Sequence, residues 1–138
     1  MTTHQSIVAL LAAIAGAAMV SVVAPAYAAA TDVKHEISAA AVHAHLAGNS
    51  ADLAGVHSHL HHTLNCLVDP KDAAFDTKEM NPCASMGEGA IPDASDATLK
   101  AALRAAAKEA EAGIAESDLS KAQTDARGTE SMLITLAK

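Results

Sequence analysis

Seven of the eight histidines in this sequence, His35, His43, His45, His57, His59, His61 and His62, crowd into one stretch. Imidazole is the side chain whose ordinary titration falls near neutral pH, and it is the commonest protein ligand for metal ions. A single histidine on a helix surface is more simply read as a solvated polar group. The cluster is harder to read that way, because its spacing is helical. Residues three or four apart share a helix face. His57 and His61 are four apart, as are His62 and Cys66, while His59 and His62 are three apart.

If the chain doubles back at Asn49, His43 comes level with His57, and His35 with about His62. Two to four imidazoles can then meet between the helices. Such a set suits Cu(II), Ni(II) or Zn(II). Glu36 and Asp52 are nearby acids that could add a ligand or orient one. Because a bound imidazole must be deprotonated, affinity is expected to fall below about pH 6. All seven histidines are candidate ligands on this reading.

Other chemistries are poorly supported. There is no paired C-x-x-C, no H-E-x-x-H and no C-x-x-C-H for haem attachment. Met80 and Met86 are soft thioethers near Cys83, but filling gaps under a loop is the plainer use for them. Asp69, Asp72, Asp76, Glu79 and Glu88 do not follow the spacing of a calcium loop. Ser58 and Ser85 lack a nucleophile's context. The expectation is a protein without enzymatic activity and without an organic cofactor.

Residues 1–28 read as a secretory signal. Ile7 to Ala24 is almost wholly apolar, and Pro25 and the small-x-small triplet Ala26-Tyr27-Ala28 follow it, which places cleavage after Ala28. The opening Met1–Ser6 carries no Lys or Arg. The alternative is a retained anchor, since the run approaches a short membrane span in length. Cleavage implies a periplasmic protein with no stable membrane association. Cys66 and Cys83, the only cysteines, are then expected to form a disulfide.

The formal charge of −7 argues against nucleic acid and anionic lipid as partners and is compatible with cations. Metal ions, a second copy of the chain paired through an Ala-rich helix face, or an envelope protein remain as partners.

Residues 29–138 are expected to form one helical domain. Thr31-Asp32 can cap a helix over about 32–47, and Gly48-Asn49-Ser50 break it, with Asn or Ser capping the next. Leu53, Val56, Leu60, Leu64 and Leu67 line one face of a second helix over 51–68, which Asp69-Pro70 stops. Residues 69–95, punctuated by Pro70, Pro82, Pro92, Gly87 and Gly89, read as a long loop with a helical turn over Asp76–Met80. A loop this long is unusual in a compact domain, and a Cys66–Cys83 bridge would explain it. Phe75, Met80 and Ile91 are expected to tuck beneath it.

Ser95 is read as the cap of a helix over 96–114, with Leu99, Leu103, Ala106, Ala110 and Ile114 on its face. A last helix over 118–137 carries Leu119, Ala122, Ala126, Thr129, Leu133 and Leu136. The fold class is therefore all-α: a four-helix bundle of two hairpins joined by a long disulfide-stapled loop.

The segment His57-Ser58-His59-Leu60-His61-His62-Thr63-Leu64-Asn65-Cys66-Leu67-Val68-Asp69-Pro70, with Asn81-Pro82-Cys83 and Gly89-Ala90-Ile91-Pro92-Asp93, resembles a group of uncharacterised small exported proteobacterial proteins. They share H-x-H-L-H-H-x-x-N-C-L-V-G-P and N-P-C motifs. The resemblance spans nearly all of the mature chain, with Asp69 standing where the motif has Gly, and the group carries no established activity that would point to a function. More loosely, the composition is similar to small His-rich periplasmic four-helix bundles that bind copper and other divalent metals.

Two functions follow as expectations. One is a periplasmic metal-binding or metal-buffering protein using the histidine cluster. The other is a metal-free helical interaction module or envelope-stress adaptor, for which the scarcity of aromatic anchors is a handicap.

Overall fold

The computed structural model describes residues 31–138, all-helical with no strand among them. The predicted signal and its cleavage point lie outside the described residues. Five helices run in order: α1 (Val33–Gly48), α2 (Leu53–Leu67), α3 (Ala90–Asp93), α4 (Ala97–Ala115) and α5 (Leu119–Leu136).

The four long helices start by the same device. Asp32, Asp52, Asp96 and Asp118 each accept a hydrogen bond from the backbone N–H three residues on, which satisfies a donor the helix itself cannot. Two of the expected caps are thereby corrected. Asn49 and Ser50 do not cap α2, because their side chains turn back to the carbonyls of His45 and Leu46 at the end of α1. Ser95 gives way to Asp96, whose carboxylate reaches Leu99 N–H.

The three-four spacings do become buried faces. Ile37, Ala40, Ala44 and Ala47 of α1 meet Val56, Leu60, Leu64 and Leu67 of α2, with Leu103, Ala106 and Ala110 of α4 and Ala122, Ala126 and Leu133 of α5. Leu53, Leu99, Ile114, Leu119 and Leu136 close the edges. α1 packs on α2 and α5, and α4 on α5 and α2. With so many alanines facing inward, the backbones come close. A Cβ on Gly113 of α4 would sit 2.7 Å from Leu60 Cδ1 of α2. None of the described helices is long and apolar enough to cross a membrane.

The segment between α2 and α4 is a chain of tight turns rather than a slack loop. Cys66 and Cys83 are bridged and buried, as expected for a chain in an oxidising compartment. Asp69, Asp72, Asp76 and Asn81 each accept from the backbone N–H two residues on, the local bonding that favours Asp and Asn in turns. Asp76–Met80 is therefore a turn and not a helix.

Gly89 begins α3 with φ 115°, a conformation open to glycine at little cost. A Cβ there would also strike the Val68 carbonyl. Phe75, Met86 and Ile91 pack against the core, but Met80 does not: it is 56% exposed, since its backbone carbonyl rather than its side chain faces α2.

That carbonyl is held by Asn65, which the helical pattern alone would leave as a polar residue on α2. It is 2% exposed. Its amide N–H groups donate to the carbonyls of Asp76, Glu79 and Met80, and its Oδ1 accepts from Asp76 N–H. Asn65→Ala is expected to cost about 2 kcal/mol or more, because it strands several buried partners at once. Urea denaturation read by circular dichroism measures it, and a loss below about 0.5 kcal/mol would show that the clamp is not structural.

Candidate metal centre

The α1–α2 hairpin brings three imidazoles together. His43 comes from α1; His59 and His62, one turn apart, come from α2. Their ring centroids lie 5.7 Å (His43–His59), 5.1 Å (His43–His62) and 5.5 Å (His59–His62) apart. One nitrogen from each ring lies within 4.8 Å of the others, close enough to hold a metal ion. The Nδ1 atoms of His43 and His59 are 3.5 Å apart. Two nitrogens at opposite ends of a tetrahedral N–Zn–N angle, each about 2.0–2.1 Å from the ion, are separated by roughly 3.4 Å.

The environment keeps the rings in the form that binds. Burial, followed by the neighbouring His62 and then His59, holds His43 below the ordinary histidine range. Burial and then His62 do the same for His59, with Glu79 pulling the other way. Both shifts favour the neutral ring, the form with a nitrogen lone pair to give.

His62 is the most telling of the three. It is 8% exposed. Its Nε2–H donates to Glu79 Oε2 at 3.1 Å, and that same oxygen accepts from the Ser58 hydroxyl at 3.0 Å. With the proton on Nε2, Nδ1 carries a lone pair, and this atom is buried without any hydrogen-bond partner. An orphaned buried acceptor is unfavourable by about 1–3 kcal/mol, and a metal ion would satisfy it. A carboxylate behind a histidine that faces an ion is the usual outer-shell arrangement around ligand imidazoles.

The other four predicted ligands lie outside the triad, three of them bonded elsewhere. His57 Nε2–H donates to the Glu116 carbonyl at the end of α4, at 3.0 Å. His45 Nδ1 meets Glu130 Oε1 of α5 at 2.9 Å, and His35 pairs with Asp32 at the start of its own helix. His61 lies on another side of α2, its Nδ1 buried without a hydrogen bond and 3.7 Å from Asp76 Oδ2.

The two acids expected beside the cluster are also elsewhere. Asp52 is spent on capping α2. Glu36 is fully buried against the Gly89 N–H, beside Asp93. The carboxylate that does serve the triad, Glu79, comes from the loop. Its sequence signal is faint, because it is one of several scattered acids between α2 and α4.

No protein-family model, curated protein or solved structure matches this chain. The class is therefore defined by the molecule itself: an all-helical, disulfide-stapled chain in which three histidines can hold a metal ion.

Proposed function

We propose that the mature chain is an exported four-helix bundle, built of the α1–α2 and α4–α5 hairpins, that binds one divalent transition-metal ion through His43, His59 and His62. Cu(II), Zn(II) and Ni(II) are the candidates the ligands suit. The role is to hold or buffer that ion in the periplasm, with no catalytic activity. The observation that carries this reading is His62, whose Nε2 bonds Glu79 and whose Nδ1 is buried and unpartnered, within a triad of imidazoles close enough together to hold an ion. Three protein ligands leave a position for water or an exchanging ligand, which suits a protein that must release its ion as well as take it. The disulfide supports export into an oxidising compartment.

Calorimetric titration of the metal-stripped, disulfide-bridged chain with each ion tests this. The expected result is one ion per chain, bound tighter than about micromolar, or more than roughly 8 kcal/mol. His57→Ala with His61→Ala should leave that binding intact, whereas His43→Ala with His59→Ala should abolish it. Binding that disappears with the first pair and survives the second would move the site. No saturable binding at all would leave the metal-free interaction module as the better reading.

A further inference from the structure

His62 and Cys66 lie one turn apart on α2, and Glu79 and Cys83 lie four residues apart in the loop. Both pairs join the same two segments: His62 to Glu79 by a 3.1 Å hydrogen bond, and Cys66 to Cys83 by the disulfide. Asn65, next to Cys66, fills the space between them by bonding the backbone of Asp76, Glu79 and Met80. The covalent staple thus sits beside the contact that fixes the proton of His62 on Nε2 and frees Nδ1.

We infer that metal loading at this site is gated by the redox state of Cys66 and Cys83, with the closed disulfide holding Glu79 as the positioning residue for His62. The inference rests on the metal-binding reading above. Without the bridge, the turns of the loop must be ordered by non-covalent contacts alone, and fixing each residue opposes conformational entropy. Glu79 is then held at His62 for a smaller fraction of the time, and the imidazole loses the partner that orients it. Loss of such an outer-shell carboxylate weakens metal binding about 10–100-fold.

Closure is a thiol–disulfide exchange. The two thiols give two electrons and two protons to a disulfide oxidant of the exporting compartment, forming the Cys66–Cys83 bond and releasing two thiols from the oxidant. The consequence is directional: the chain would bind weakly while reduced and reach full affinity only after export and oxidation.

The test compares Zn(II) affinity in four chains: the bridged protein, Cys66→Ser/Cys83→Ser, Glu79→Gln with the bridge intact, and the combination of all three changes. Serine is used because free thiols would themselves take the metal. The first two variants should each bind about 10–100-fold more weakly than the bridged protein, and the combined variant should be little weaker than either, because both act through one contact. The 15N shifts of His62 in the metal-free protein add a readout that a general loss of stability would not give. They should report an Nε2 proton in the bridged chain and a mixture of tautomers in the first two variants.

A folded Cys66→Ser/Cys83→Ser chain that binds as tightly as the bridged one overturns the inference, as do losses that simply add. Should that double variant fail to fold, unchanged affinity in bridged Glu79→Gln overturns it independently. A bridged protein that takes no ion overturns the metal reading and this inference together.

Discussion

Saturating Zn(II) is expected to raise the thermal midpoint of the disulfide-bridged chain by roughly 10 °C. An ion at a hundred times its dissociation constant stabilises the state that binds it by about 2.7 kcal/mol, and each kcal/mol moves the midpoint of a domain this size by about 4 °C or more. The gain should exist because His62 Nδ1 is buried with nothing to bond, a fault of the metal-free protein that an ion removes. His62→Ala should lose most of the shift, since losing a ligand costs more than the roughly 10–100-fold lost with an outer-shell partner. His57→Ala should keep it, because that ring is committed to the Glu116 carbonyl.

Acid should erase the shift. His43 and His59 are held below the ordinary histidine value of 6.5, so below that pH the unfolded chain takes up protons before the folded one does. The contribution of these two rings to the stability of the metal-free protein therefore declines as pH falls through this window, and protons compete with the ion for the same nitrogens. Differential scanning calorimetry at pH 7.5 and about pH 5.5, with and without Zn(II), reads both effects. A shift of equal size at both pH values would mean that the ion is not bound through imidazole.

The helices were legible because their signals are local. Asp, Gly and Pro punctuation and the three-four recurrence of Leu, Val and Ala locate α1, α2, α4 and α5 to within about two residues. Which histidines would meet was not legible, because that depends on hairpin register. Placing the reversal at Asn49 puts His43 level with His57. In the molecule Asn49 and Ser50 bond back to α1 and leave Asp52 to start α2. The reversal therefore falls a residue or two later, and His43 comes to rest against His59 and His62 instead. A shift that small moves the meeting point to another face of α2, which separates the 59/62 pair from the 57/61 pair. Glu79 and Asn65 were hidden for a different reason. Their roles exist only between α2 and an irregular loop, where no periodicity connects the two partners.

Glu36→Gln is expected to stabilise the protein in mild alkali and to change little in acid. Glu36 is 0% exposed and accepts the Gly89 N–H through Oε1, while Oε2 has no partner. Asp93 lies alongside, accepting from Glu88 N–H. The fit is close: a Cβ on Gly87 would come within 2.6 Å of Glu36 Oε1 and nearer still to Asp93 Oδ2. Burial first, then the Asp93 carboxylate and more weakly Asp32, push the Glu36 carboxyl from 4.5 to about 7, with only the Gly89 N–H favouring the charge.

The folded chain therefore holds a proton that the unfolded chain has already released. Its contribution to stability is greatest below pH 4.5 and is lost progressively as pH rises through 7, by about 3 kcal/mol in total at 1.36 kcal/mol per unit of displacement. Glutamine has the shape of the protonated acid. It can accept from Gly89, donate to Asp93 and never ionise. At pH 8 the variant should exceed the parent by about 3 kcal/mol, whereas at pH 4.5 the two should agree within about 0.5 kcal/mol. Urea midpoints of both chains at both pH values decide the matter, and a difference between parent and variant that is the same at pH 4.5 and pH 8 would show that Glu36 ionises without penalty. The acid that the sequence placed beside the metal would then be at ease with its charge, although the geometry surrounds it with a second carboxylate and a single N–H donor.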